Sequence, residues 1–133
     1  MKKSSLLLLP FMLFFGILNG FSRTMDVSAE ITNALNKGDA SSLSPFFNDN
    51  VELVVDNKND IFSKQQATAI ITDFFRKNPV NGFSTLHKGE KEASSFVIGT
   101  LKTSNGSFRV YVLTRKSGNK DVIQQLRIEP SND

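Results

Sequence analysis

The residues after Pro79 alternate apolar and polar side chains in short runs separated by turn residues, and this pattern constrains the fold more than any other feature of the chain. Period-two alternation rich in β-branched and aromatic residues is typical of strands. It predicts four strands, at 82–88, 94–103, 107–115 and 121–129. Asn105-Gly106 is a strong hairpin signal, because both residues accept the positive φ of a type I′ turn. The second half of the chain is therefore predicted to be an antiparallel meander.

The turn predicts which side chains share a face, because a two-residue turn at Asn105-Gly106 pairs Ser104 with Ser107. One face then carries Val97, Leu101, Phe108, Val110 and Val112. The other carries Phe96, Ile98, Thr100, Lys102, Arg109, Tyr111 and Leu113. The first face is uniformly apolar and is expected to receive the helices, whereas the second is mixed, as interfaces are. The interface candidates are Phe96, Ile98, Tyr111 and Leu113, and the expected partner is a second copy in a homodimer through this outer face.

The last hairpin leaves two arrangements open. If Gly118-Asn119 forms a two-residue turn, Gln125 and Arg127 face inward with Val110 and Val112, while Leu126 and Ile128 point outward. A one-residue change of loop length exchanges the two sets, because successive strand residues point to opposite faces.

Three helices are predicted in the first half of the chain. Apolar residues recur at helical spacing over 26–37, and Gly38 is the expected stop. Asp39 can cap a short second helix. Ser63 and Gln66 have the spacing of a capping box at the start of a third helix, whose apolar face is broad enough to lie on a sheet.

The segment VVDNKND, residues 54–60, contains two carboxylates and two amides and raises the question of a metal site. A calcium loop of the EF-hand kind that begins at Asp56 needs an oxygen ligand at its third position, glycine at its sixth and glutamate at its twelfth. Lys58, Ile61 and Ala67 occupy those positions. We therefore predict no metal site here but a turn between a strand at 51–55 and a short returning strand, since Asp and Asn favour turns.

The N-terminal segment has the order of a secretory signal peptide: Lys2 and Lys3, an apolar run at 6–18, and small residues at Gly20 and Ser22. The run is too short to span a bilayer comfortably. We expect a signal peptide at 1–22, cleaved after Ser22 or alternatively after Gly20, and a single domain at 23–133 without a stable membrane span. The protein is then exported to the periplasm of a bacterium or secreted from it, and the absence of cysteine fits a bacterial periplasm. The other interpretation of the N-terminal segment is an uncleaved N-terminal anchor.

Charge and composition exclude some partners. Loss of the signal peptide leaves 14 basic and 13 acidic side chains of the original 16 and 13, and the basic ones are scattered along the chain. Nucleic-acid binding is therefore not expected, because it requires a basic patch or stripe. The sequence also contains no motif of a phosphate-binding glycine loop, a nucleophilic serine elbow or a zinc-binding histidine pair, so no cofactor and no metal is expected.

Five segments carry a resemblance to a known family: GDASSLSPFFNDNVELVVDNKNDIFSKQQA, ITDFFRKNP, GFSTLHKG, FVIGTLKTSNGSFRVYVL and QQLRIE. They resemble a bacterial family of small exported proteins, which is classed as a domain of unknown function in the nuclear transport factor 2-like superfamily. The resemblance implies an α+β cone, in which a curved, mostly antiparallel sheet packs on about three helices from the N-terminal half. It implies little about function, since this fold hosts isomerases, dehydratases, transport factors and binding modules.

Enzymes with this fold typically place an aspartate, or a histidine with an aspartate, within the cone and use a tyrosine as donor. The chain has His87, Asp56, Asp73 and Tyr111 as residues of these types, but no spacing brings two of them together. Acid–base chemistry needs groups within hydrogen-bond reach, so no catalytic residue is assigned. A non-catalytic binding or interaction module is the favoured interpretation. A small isomerase or dehydratase, and a homodimeric accessory protein with a filled core, are the alternatives.

A small-molecule pocket within the cone is the form of binding that this fold would offer. The candidate pocket residues are Phe74, Phe75, Phe83, Phe108, Gln125 and Arg127. An inward Arg127 would favour an anionic ligand, because a buried unpaired charge is costly. The alternative is that these side chains fill the core, since a small domain has little apolar surface to spare.

Overall fold

The computed structural model describes residues 27–132, so the expected signal peptide and its cleavage site lie outside the described residues. The elements in chain order are α1 (Ala29–Lys37), α2 (Ala40–Leu43), a 3₁₀ turn (Ser44–Phe46), β1 (Phe47–Val55), β2 (Lys58–Ser63), α3 (Lys64–Lys77), β3 (Val80–Lys91), β4 (Ser94–Thr103), β5 (Gly106–Ser117) and β6 (Lys120–Ser131). Within the described range, no helix is long and apolar enough to cross a membrane.

The helices begin and end at the residues that the sequence indicates. Gly38 ends α1 with a left-handed φ of 64°, and its N–H bonds back into the last turn. The Asp39 side chain accepts the Ser42 N–H at 3.1 Å and so caps α2. Ser63 and Gln66 form a reciprocal capping box, with bonds of 3.1 and 3.0 Å between each side chain and the other residue's backbone N–H. Local side-chain chemistry therefore determines these boundaries.

The six strands form one sheet in the order β2-β1-β6-β5-β4-β3. All neighbours are antiparallel except β1 and β6, which run parallel. Asp56 and Asn57 connect β1 to β2 in a two-residue turn, with Asp56 at a φ of 55°. The turn prediction for residues 54–60 is thus confirmed, as is the mostly antiparallel sheet.

The register predicted for β4 and β5 is wrong by two residues. Thr103 pairs with Gly106, so Ser104 and Asn105 form the turn, and Leu101 lies opposite Phe108 rather than opposite Val110. The Thr103 hydroxyl stabilises this turn by accepting the Asn105 N–H at 3.0 Å and donating to the Gly106 carbonyl at 2.8 Å. A shift of two residues leaves every side chain on its predicted face.

Three helices cover the inner face of the sheet, and the core lies between these two layers. Val97, Leu101, Val110 and Val112, which were predicted to face inward, are at most 2 % exposed. On α3 the buried residues are Ala67, Ile71, Phe74 and Phe75. The predicted α+β architecture is therefore confirmed, with the apolar face of the meander against the helices.

Candidate interaction surface

A bulge in β6 decides which of its side chains reach the core. The predicted Gly118-Asn119 turn is present, since Ser117 pairs with Lys120. Further along, Thr114 pairs with Ile123 but Leu113 pairs with Gln125, which leaves Gln124 as an extra residue on β6. An unpaired extra residue of this kind is a β-bulge, and it reverses the facing of every residue that follows.

The bulge overturns the inward placement of Gln125 and Arg127. Leu126 and Ile128 are 0 % and 1 % exposed, respectively, so they face the core. Gln125 and Arg127 lie on the outer face, opposite Leu113 and Tyr111 of β5. The sequence carries no signal of the bulge, because the two residues at the irregularity, Gln124 and Gln125, are identical polar residues that fit either facing.

The aromatic pocket candidates are packed within the core. Phe74 and Phe108 meet edge-to-face with ring centroids 5.0 Å apart, and Phe74 and Phe75 meet at 5.8 Å. Phe83 packs against the same core and lies over Gly99, where a Cβ atom would be 2.4 Å from the ring. The six candidate pocket residues therefore do not converge, since four rings lie inside and the two polar side chains lie on the opposite face.

The outer face carries two rows of side chains that cross three strands, and we call these six residues the outer patch. Cross-strand pairing aligns Phe96, Leu113 and Gln125 in one row and Ile98, Tyr111 and Arg127 in the next. All six are partly exposed. The Phe96 and Tyr111 rings are stacked, with centroids 6.2 Å apart and planes at 29°.

Gly89 on β3 allows the Phe96 ring to lie flat on the sheet. Gly89 pairs with Phe96, and a Cβ atom at Gly89 would be 2.6 Å from that ring. The ring therefore covers the glycine, an arrangement in which an aromatic side chain shields the backbone of a neighbouring strand. The outer patch is thus held by packing within the sheet and does not depend on a loop.

Charged residues border the outer patch on the β6 side and balance one another. The Arg127 guanidinium lies 3.2 Å from the Glu129 carboxylate, and Arg109 is the cross-strand neighbour of Glu129. Strand β1 adds Glu52, opposite Gln125. Arg127 of the outer patch and the bordering residues Arg109, Glu129 and Glu52 therefore make up two arginines and two glutamates.

Both edge strands of the sheet, β2 and β3, have backbone N–H groups bonded to side chains. On β2, Ile61 donates to the Asp60 carboxylate at 2.7 Å, and Ser63 donates to Gln66. On β3, Phe83 donates to the Asn36 side-chain oxygen at 2.9 Å. Unpaired edge amides are what an added strand needs, so these bonds disfavour association through the edges.

The residues of acid–base type lie in two separate places. His87 is exposed on the outer face. It pairs with Ile98 of β4, which in turn pairs with Tyr111 of β5, so Ile98 lies between His87 and Tyr111. Asp56 and Asp73 line one cleft of about 540 Å³ beside the C-terminal half of α3, a proximity that no sequence spacing revealed. Because α3 packs against the inner face, the two carboxylates are on the other side of the sheet from the histidine and the tyrosine.

Asp73 is engaged by its own helix. Lys77 Nζ lies 3.1 Å from its carboxylate, and Arg76 is a second partner. The hydrogen bond from Lys77, aided by the charges of both cations, lowers the pKa of Asp73 from its ordinary value of 3.8. It is therefore ionised at neutral pH, and it is a poor proton donor. Residues 27–132 contain no group of three or more acidic or histidine side chains that could hold a metal ion.

Comparison with known proteins gives the relatives of this chain. Crystal structures of two proteins of the DUF4783 family match it over the whole length of those chains. The protein from Bacteroides ovatus has 40 % identity and a TM-score of 0.78 over 83 % of this chain. The protein from Bacteroides fragilis has 37 % identity and a TM-score of 0.75 over 80 %.

More distant structures show the fold alone. An NTF2-like protein of unknown function from Cytophaga hutchinsonii has 13 % identity and a TM-score of 0.54, over 74 % of this chain and 81 % of its own. The comparison with curated proteins gives no match. The family model for the domain of unknown function DUF4783 matches residues 28–129. With that match and the Bacteroides relatives, the chain belongs to the DUF4783 family and has the nuclear transport factor 2-like fold.

Proposed function

We propose that this protein is an exported, non-catalytic interaction module of the bacterial envelope, whose binding surface is the outer patch and whose partner is a second copy of the chain. The observation that carries the proposal is the row arrangement of Phe96, Ile98, Tyr111 and Leu113, four large side chains left partly exposed on a rigid sheet.

The composition of the outer patch supports an interface. Contiguous apolar surface of more than a few hundred Å² is uncommon on monomers and usually marks a binding surface. Phenylalanine, tyrosine and arginine, which the patch contains, are enriched in interface cores. Because strands and a stacked ring pair hold the patch, little conformational entropy is lost when it binds.

The charge balance of the border supports a second copy as the partner. In a symmetric dimer each side contributes the same surface. Two arginines and two glutamates, Arg127 within the outer patch and the others beside it, allow unlike charges to meet across a two-fold axis without net repulsion. The bonded edge amides of β2 and β3 disfavour the alternative of extending the sheet from one copy to the next.

The separation of the acid–base residues supports a non-catalytic role. His87 and Tyr111 are on one face of the sheet, whereas Asp73 is on a helix against the other face and is paired with lysine and arginine. A general base must lie within hydrogen-bond reach of the proton that it removes and of its helpers. Export is supported by the N-terminal sequence with its charged, apolar and small-residue segments.

The test is the double substitution Ile98→Lys with Leu113→Lys in the protein purified from the envelope fraction of an expressing bacterium. Analytical ultracentrifugation is expected to show a dimer for the wild type at about 10–100 µM, a range chosen for micromolar affinity. The variant is expected to sediment as a folded monomer, because four buried ammonium groups per dimer would be uncompensated.

A matched control carries the same added charge on the helical side. Asn33→Lys with Ala69→Lys places two lysines at exposed positions of α1 and α3 and is expected to leave the dimer intact. A wild-type protein that remains monomeric over this range, or a patch variant that still dimerises, would refute the proposal. Mass spectrometry of the same sample reports whether the N terminus begins between residues 21 and 23.

A further inference from the structure

A second surface feature lies on the outer face, beyond the outer patch and next to the β4–β5 turn. It is a cleft of about 610 Å³ that crosses β3, β4 and β5. Its lining includes Asn81, Ser84, Leu86, Thr100, Lys102 and Ser107, and it shares no residue with the outer patch. Its volume is within the range of small-molecule sites, about 300–1,000 Å³.

The hydroxyl groups of this cleft are available to a ligand. Thr100 is only 8 % exposed, yet its side chain makes no hydrogen bond to any of residues 27–132. Its hydroxyl oxygen is not one of the buried, unpartnered side-chain atoms of residues 27–132, so it is open to solvent and to a ligand. Ser84 and Ser107 line the cleft on the strands to either side of it. The cleft therefore offers a row of three groups that can each donate and accept.

The charge of the cleft is positive. Lys102 is its only charged lining residue, and no acidic side chain lines it. Three clefts on the helical side of the described chain contain aspartates, Asp39 in two of them and Asp56 with Asp73 in the third. Within the described chain Lys102 has no carboxylate partner, so an anionic group would gain a charge-assisted hydrogen bond here.

An apolar side chain forms one wall of the cleft. Leu86 is 47 % exposed because the β3 register shifts between Thr85 and His87, which leaves Leu86 as the extra residue of a bulge. Bulges commonly redirect a side chain in this way. A pyranose ring presents a face of C–H groups and a rim of hydroxyls, which matches an aliphatic wall beside a hydroxyl row.

We propose that this cleft binds a sugar acid with a single carboxylate, either free or as a unit of an acidic polysaccharide. The carboxylate pairs with Lys102, the ring hydroxyls exchange hydrogen bonds with Thr100, Ser84 and Ser107, and the ring face packs on Leu86. This proposal does not rest on the proposed dimer, because the cleft shares no residue with the outer patch.

The test is a titration of the ¹⁵N-labelled protein with D-glucuronate, followed by amide chemical shifts, with D-glucose as the neutral control. We expect saturable shifts of residues 81–86 and 100–107, and glucose binding weaker by about tenfold, the value of one charge-assisted bond. Absence of saturable shifts up to about 50 mM glucuronate, which corresponds to less than about 2 kcal/mol of binding free energy, would overturn the proposal. Equal shifts with glucose would also overturn it.

Two variants separate the cleft from a general charge effect. Lys102→Met keeps the aliphatic stem but is expected to weaken glucuronate binding about tenfold. Lys120→Met, at the start of β6 and opposite Ser117 at the far end of β5, is expected to leave it unchanged. Equal effects of the two variants would overturn the site. A trimer of galacturonate that binds more tightly than the monomer assigns the ligand to a polysaccharide, and equal affinity assigns it to the free acid; either result supports the sugar-acid class.

Discussion

The facing of β6 can be tested with two substitutions one residue apart. Leu126 is fully buried between Val112 of β5 and Leu53 of β1, so Leu126→Ala leaves a cavity in the middle of the sheet. Substitutions of this kind cost about 2–5 kcal/mol. The side chain of Arg127 is 39 % exposed and its partner Glu129 is 47 % exposed. Arg127→Ala should therefore cost less than about 1 kcal/mol, as exposed ion pairs do.

Urea unfolding followed by circular dichroism measures both values. A domain of this size has a free energy of unfolding of about 5–15 kcal/mol, so Leu126→Ala should lower the midpoint strongly without changing the slope. Both substitutions are best made in the Ile98→Lys, Leu113→Lys background, where dimerisation does not contribute. Two results would refute the facing that the bulge determines. One is an equal decrease in the free energy of unfolding for Arg127→Ala and Leu126→Ala, and the other is a decrease below about 1 kcal/mol for Leu126→Ala.

Two further predictions concern the inner layer and the helix caps. Gly99→Ala is expected to destabilise the fold by about 1–3 kcal/mol, because a Cβ atom there would be 2.4 Å from the Phe83 ring and 2.5 Å from the Ser84 carbonyl oxygen; an unchanged thermal midpoint would contradict this. Hydrogen bonds from Ser42 lower the pKa of Asp39 from its ordinary value of 3.8, so the ionised carboxylate stabilises the fold above pH 3.8 and this contribution is lost as the pH falls through the lower, folded-state value. Asp39→Asn should therefore cost more stability at neutral pH than in acid, and a difference from wild type that is the same in unfolding experiments at both pH values would argue against this role.

Local signals in the sequence predict the helices and turns well. Gly38, Asp39 and the capping box of Ser63 with Gln66 act through bonds to residues no more than four positions away. The Asp56 turn is equally local. Such contacts are present in the sequence itself, because the partners are neighbours in the chain.

The errors arise where distant contacts decide between local alternatives. The Asn105 side-chain amide donates to the Lys77 carbonyl and to the Asn78 side chain, 28 and 27 residues away, and these bonds hold the turn at 104–105. The bulge at Gln124 depends on how β6 fits between β1 and β5, and no residue near Gln124 reveals its partners.

For the candidate sites too, the sequence predicts the residues on regular strands but not those that depend on a bulge. Alternation along β4 and β5 predicts the apolar members of the outer patch. The two-residue error in the β4–β5 register does not change the face on which they lie. Arg127 joins the patch only through the bulge, and the Leu86 wall of the cleft exists only through a second bulge. Alternation along a single strand cannot place a residue that lies at or beyond such an irregularity.

The strand order has a consequence for how the chain acquires its structure. The last strand, β6, lies in the middle of the sheet, between the first strand and the meander. Until residues 120–131 are available, the β1–β2 hairpin and the β3–β5 meander share no ladder and cannot close one core. We therefore expect the two halves to fold together in one late, cooperative step with a high contact order. A chain with this strand order keeps the apolar faces of both halves exposed until β6 is in place, and such surfaces are prone to aggregation.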